Sequence, residues 1–298
     1  MRLSNCAAAA TALAFLSLPA AAAETDWPKV AAALGKSGSE MPGGVYRVGL
    51  PRTDLHVTLD GVEIKPTLAL GSWLAFRPEG NDAMVMGDLV LTEAEIAPVM
   101  TKLAEGGIAI TALHNHLLRA QPATFYMHVL GHGDPVKLAA ALHDGLTLSK
   151  TPLVNVPPLA AGSAPPKIDL DTAMLDQILG AKGQIAGGVY QASIRRAETV
   201  KDGGMEVPVA MGSAEAINFQ PTGNGKAAIT GDFVVTAAEV NPVLRTLRQN
   251  GIEVTALHNH MLDDEPRLFF MHFWANDDAE KLAKGLRAAL DKVNVARS

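Results

Sequence analysis

The chain has 298 residues, a formal charge of -6, 48% hydrophobic and 19% charged residues, a composition that excludes general disorder and fits a folded globular protein. An acidic chain without basic runs also excludes a sequence-independent nucleic-acid binder, whose affinity rests on surplus Lys and Arg. The lone cysteine is Cys6, so thiolate metal sites and disulfide frameworks are excluded from the body of the chain.

In chain order, residues 1–23 combine Arg2, an apolar stretch from Ala7 to Leu18 and small residues at Ala21 and Ala23. This is the pattern of a secretory signal peptide cut after Ala23. The apolar stretch is short for a membrane span. Cys6 precedes that stretch and follows Asn5, unlike a lipobox cysteine, so lipoprotein anchoring is not expected. The expected product is exported, periplasmic or secreted, without a membrane span.

The body opens with a helix near Trp27 to Leu34. Strands follow at Val45 to Leu50, Val62 to Leu70, Trp73 to Arg77 and Ala83 to Leu91, with Asp60-Gly61 as a tight turn. Thr92-x-x-Glu95 is a capping box opening a helix that runs to about Glu105. Two further strands, Ile108 to Leu118 and Thr124 to Leu130, lead to a helix opening near Asp134, with Leu138, Leu142 and Leu146 on one stripe.

The pattern then recurs at an offset of 144, the separation of His114 and His258. Gly43-Gly44-Val45-Tyr46 returns as Gly187-Gly188-Val189-Tyr190, Gly87-Asp88 as Gly231-Asp232, Glu95 as Glu239, and His128 as His272. The chain is a tandem duplication. Repeat one is expected over 24–147 and repeat two over 168–298, joined by a Pro/Ala-rich linker over 148–167. The expected fold class is α+β: each unit is an antiparallel sheet covered by helices on one face, and the two units can pack as a pseudo-dimer.

"TALHNHLL" at 111–118 and "TALHNHML" at 255–262 place two histidines on one side of a strand, because successive side chains alternate faces. A hairpin centred near Gln121 sets His114 opposite His128 and His116 opposite Tyr126. One centred near Glu265 sets His258 opposite His272 and His260 opposite Phe270. A register shift of two keeps each trio on one face, whereas a slip of one separates it. The reverse face then carries Leu113, Leu117, Phe125, Met127 and Val129 toward the helices. Asn115 and Asn259 either face that apolar layer or mark a bulge.

Three neutral imidazoles suit a divalent metal, zinc or copper foremost. The expected ligands are His114, His116 and His128 in one repeat and His258, His260 and His272 in the other, with His132 as an additional imidazole in the first. If the metal activates water for hydrolysis, Glu95 and Asp134 are candidate proton acceptors. Tyr126, Phe270 and Trp274 share the histidine face and are candidates to wall a ligand pocket. A non-metal module for a small molecule or carbohydrate of the cell envelope remains a rival reading, as do histidines that merely tie loops or repeats together.

Over "GIAITALHNHLL", "PATFYMHVLGHGD", "GDFVVTAAEVNPVLRTLRQNG" and "GIEVTALHNHMLDDEPRLFFMHFW" the chain resembles the LppY/LpqO family, exported bacterial proteins carrying a domain of unknown function. The likeness covers most of each repeat. It implies export and the domain type, supplies no reaction, and is departed from in the missing lipobox.

Overall fold

The computed structural model describes residues 25–154 and 167–296. The expected signal segment and most of the expected linker lie outside the described residues.

Repeat one runs α1 (Trp27–Leu34), β1 (Ser39–Met41), β2 (Val45–Pro51), β3 (Val57–Leu59), β4 (Val62–Ile64), α2 (Pro66–Ala69), β5 (Gly71–Glu79), β6 (Asp82–Thr92), α3 (Glu93–Glu105), β7 (Ala109–His114), β8 (Thr124–Gly133) and α4 (Pro135–Leu146). Repeat two runs α5 (Thr172–Leu179), β9 (Gln184–Ala186), β10 (Val189–Arg195), β11 (Lys201–Asp202), β12 (Met205–Glu206), β13 (Ala214–Gly223), β14 (Lys226–Thr236), α6 (Ala237–Gln249), β15 (Glu253–His258), β16 (Asp264–Glu265), β17 (Leu268–Asp278) and α7 (Ala279–Leu290). Each repeat builds a six-stranded antiparallel sheet, in the order β1-β2-β5-β6-β8-β7 and, correspondingly, β9-β10-β13-β14-β17-β15. The fold is α+β with tandem duplication, as the repeat pattern implies.

Alternation along the central strands sorts the two faces. From β6, Val85, Leu89 and Leu91 meet Val99 and Leu103 of α3 and Leu138 and Leu142 of α4. The second repeat does the same with Phe233, Val235, Val243, Leu247, Leu282 and Leu286. Each such fully buried aliphatic side chain contributes roughly 1.5–3 kcal/mol relative to exposure.

The opposite faces of the two sheets turn toward each other. Between β2 and β5 the chain leaves its sheet as an arm, whose Leu59, Ile64 and Leu68 pack with Ala228 and Trp274 of the other repeat. Gln191 Nε2 donates to the Thr67 carbonyl at 2.9 Å, and Gln220 Nε2 to that of Glu63 at 2.7 Å. The second repeat reciprocates, with Val207 and Met211 against Ala75, Met84 and Met86. Arg47 and Arg77 donate to the carbonyls of Ala210 and Glu206 there. The repeats therefore clasp each other as a pseudo-dimer.

Two expected strands are shorter than their apolar patterns. Val62 to Leu70 is not one strand: Pro66, which lacks an N–H and suits the first helical position, starts α2 after β4 ends at Ile64. The strand expected to reach Leu118 stops at His114, because Asn115 Oδ1 accepts the Leu117 N–H at 2.9 Å and closes a side-chain turn. Among the described residues, no helix is long and apolar enough to cross a membrane.

Candidate metal centre at the repeat interface

On β6 the residues alternating with the helix-facing set are Met84, Met86, Asp88 and Val90, and these face the other repeat. Asp88 stands directly opposite His128 of β8, as Asp232 stands opposite His272 of β17. The glycine before each aspartate is required by close approach. A Cβ at Gly87 would lie 2.7 Å from the Trp73 carbonyl oxygen, and one at Gly231 would strike that of Ala216. The carbonyls of these glycines anchor the histidines: His272 Nδ1 lies 2.8 Å from Gly231 O, and the Gly87 carbonyl holds His128 in the same way. With Nδ1–H donating, Nε2 presents a free lone pair, and Nε2 of both rings has no hydrogen-bond partner.

His114 and His258 close the edge strands β7 and β15, and His116 and His260 follow in the turns. The expected register is corrected here. A bulge at Thr111 pairs Ala112 with His128 and His114 with Tyr126, and its counterpart pairs Ala256 with His272 and His258 with Phe270. The shift is two residues, so the histidine face is preserved. Leu113 does lie opposite Met127, but it is 42% exposed at the sheet edge rather than seated in the core.

The six imidazoles form one cluster across the interface rather than one closed trio per repeat. His114 stacks on His258 with centroids 3.5 Å apart, His116 meets His272 at 3.5 Å, and His128 meets His260 at 3.8 Å. Three groupings bring ligand atoms within 4.8 Å of one another: His114–His116–His272, His114–His128–His258 and His258–His260–His272. Only the last is a trio that the sequence spacing anticipates.

Two carboxyls complete the cluster. Asp88 Oδ2 lies 3.8 Å from His116 Nε2, while Asp232 Oδ2 lies 3.7 Å from His260 Nε2 and its Oδ1 3.2 Å from His272 Nδ1. Neither aspartate stands out by spacing; the available signal was an acid retained in both copies within an apolar strand. Arg47, half-buried over the Trp73 ring at 4.1 Å, adds a positive charge beside Asp88 and has Gln191 as its counterpart.

Burial pushes the histidines far below their usual range, with neighbouring imidazoles adding to the fall at His116, His128 and His260; His128 and His272 drop to about 3. Burial pushes Asp88 up to about 7, against the pull of Arg47, and raises Asp232 well above the carboxylate range, with Asp88 adding to the rise. The cluster is an array of neutral nitrogen donors beside two carboxyls whose ionisation burial opposes.

The other expected site residues lie elsewhere. His132 is exposed on β8 and does not join the cluster. Glu95 accepts from Arg52, from the Thr92 N–H at 2.8 Å and from the Lys150 N–H at 2.8 Å, so its oxygens are committed to a structural ion pair and cap. Asp134 caps α4 through the N–H groups of Val136 and Lys137. Tyr126 and Phe270 stack on His116 and His260 at 3.3 Å, supporting the imidazoles as buried walls. Trp274 instead donates to Asp60 Oδ2 at 3.1 Å, beneath the arm.

Among curated proteins, none matches this sequence. Among solved structures, the chain is similar to a trimeric bacterial microcompartment shell protein, PduB, at 10% identity over 87% of this chain and 91% of that one, with a TM-score of 0.22. It is similar to EtuB from Clostridium kluyveri at 8% identity over 86% and 90%, with a TM-score of 0.19; both scores are too low to inform the site. Residues 28–148 and 173–292 each match the family described as Domain of Unknown Function (DUF1259), so the chain belongs to that family and carries its domain twice.

Proposed function

We propose that this is an exported protein that binds divalent metal, zinc or copper foremost, between its repeats. The carrying observation is the interfacial cluster of six histidines, whose buried Nε2 atoms lack hydrogen-bond partners. Unpaired buried polar atoms are costly, and a cation shared among them removes that cost while ionising Asp88 and Asp232. Nitrogen donors beside carboxylates suit zinc or copper better than calcium or magnesium. The apolar N-terminal segment and the likeness to the exported LppY/LpqO proteins support an envelope location, where such a centre would store, sense or deliver metal.

Elemental analysis of the untagged protein after zinc or copper reconstitution tests the reading, with about two equivalents expected for two sets of three histidines. No bound metal in a folded protein would overturn it. Hydrolysis is the second reading, favoured by the partial exposure of the His114 and His258 residues at the edge of the cluster. Because Glu95 and Asp134 are committed elsewhere, the proton acceptor would then be Asp88 or Asp232. Metal-dependent turnover of an ester, phosphoester or amide, abolished in His116→Ala, is the result that would favour it.

A further inference from the structure

We infer, building on the metal reading, that the two repeats are unequal: the tighter ion sits in repeat two, on His258, His260 and His272, and the imidazoles of repeat one stack on its ligands rather than sharing it. An ion with nitrogens about 2.0–2.1 Å away, at right-angled to tetrahedral geometry, spreads the centres of two ligand rings to roughly 4.5–5.3 Å. His258 has that spacing to His260, at 5.1 Å, and to His272, at 4.9 Å. The three also bring ligand atoms within 4.8 Å of one another, and the Nε2 of each is buried without a hydrogen-bond partner. A small closure of these rings seats the ion.

The other two groupings lack that spacing. His114–His116–His272 contains the His116–His272 pair at 3.5 Å, and His114–His128–His258 contains the His114–His258 pair at 3.5 Å. These are distances of packed rings, too short for two imidazoles on one ion. With His128–His260 at 3.8 Å, they set one ring of repeat one against each ring of the repeat-two trio. Repeat one's own trio has ring spacings of 4.8 Å for His114–His116 and 5.1 Å for His114–His128, but its three ligand atoms do not gather within 4.8 Å. A second ion there must first turn those rings away from the ligands of the first.

Charge breaks the symmetry in the same direction. Arg47, held over the Trp73 ring at 4.1 Å and donating to the Ala210 carbonyl, sets a positive charge beside Asp88. Its counterpart Gln191 is a neutral amide that donates to the Thr67 carbonyl at 2.9 Å. An ion near Asp88 therefore meets like charge, whereas one near Asp232 does not. Asp232 also stands beside two members of its trio, 3.2 Å from His272 Nδ1 and 3.7 Å from His260 Nε2. Among the described residues, Asp88 pairs in this way with His116 alone, at 3.8 Å. A carboxylate that orients a metal-bound imidazole is worth about 10–100-fold in affinity, which sets the expected difference between the repeats.

The test is a zinc titration of the full-length untagged chain against a chromophoric chelator, read as stepwise affinities, with circular dichroism confirming the fold of each variant. Wild type is expected to show two steps, the first tighter by about 10–100-fold. His258→Ala should abolish the tight step, whereas His114→Ala should abolish the weak step and leave a tight one. Both side chains end edge strands and are half-buried, so the two cuts are matched. The reverse pattern overturns the assignment, and so do two equal steps in wild type or loss of the tight step in both variants. A wild-type chain that binds no zinc sinks the metal reading itself, an outcome distinct from these. If an alanine variant does not fold, His258→Gln and His114→Gln decide the matter, glutamine keeping volume while removing the imidazole donor.

Discussion

At the scale of single residues, His128 and His272 show how burial converts a common side chain into a committed donor. In metal-free protein their folded pKa values near 3 lie below the free imidazole's 6.5. Between those values the unfolded chain binds more protons, so stability falls as pH falls. Asp88 acts oppositely: raised from 3.8 to about 7, it makes the folded chain bind more protons within that window, and Asp232 shares its sign. Glu215 and Asp202, also raised by burial, share that sign. Six imidazoles still outnumber these four carboxyls, so metal-free protein should lose stability on acidification from pH 7 to pH 5, at about 1.4 kcal/mol per pH unit for each net proton. Thermal unfolding at the two values checks this, and an equal or higher Tm at the lower pH would contradict it. Asp232→Asn should keep the fold and weaken zinc binding roughly 10–100-fold, read by competition with a chelator; unchanged affinity would remove Asp232 from the centre.

At the scale of elements, α3 and α6 open on capping boxes at Thr92–Glu95 and Thr236–Glu239. These were legible because the signal spans four residues and depends on no distant contact. What Glu95 does besides was not legible: it pairs with Arg52, whose side chain is fully buried and also meets Asp54 at 2.8 Å. Glu95→Gln should therefore cost about 2–3 kcal/mol, Asp54 remaining to offset part of the buried charge, while metal content stays unchanged. Denaturant unfolding beside elemental analysis separates this from a catalytic role, which would spare stability and cost turnover. The β7 register was equally hidden, since the Thr111 bulge sits where that residue ties to the backbone of the other repeat.

At the scale of the molecule, the exchanged arms decide cooperativity. Leu59 lies in a core shared with Ala228 and Trp274, and Met211 in one shared with Met84 and Met86. The repeats should therefore unfold in one transition. Leu59→Ala should destabilise the whole by about 2–4 kcal/mol, with fluorescence of Trp27 in repeat one and Trp274 in repeat two, read in single-tryptophan variants, shifting together. Two separated transitions would show that the arms do not couple the repeats.

The amino-acid order by itself determined the duplication, the order of most helices and strands, and the shared face of His114 and His128 with their counterparts. Each of these rests on local periodicity, and the second copy repeats it. Tertiary structure alone decided which imidazoles meet, placed Asp88 and Asp232 among them, and withdrew Glu95, Asp134 and His132. Strand parity says which way a side chain points, but its partner depends on a bulge, a side-chain turn and the docking of one sheet on another. The docking contacts join residues more than a hundred positions apart, and none of the three leaves a period in the chain.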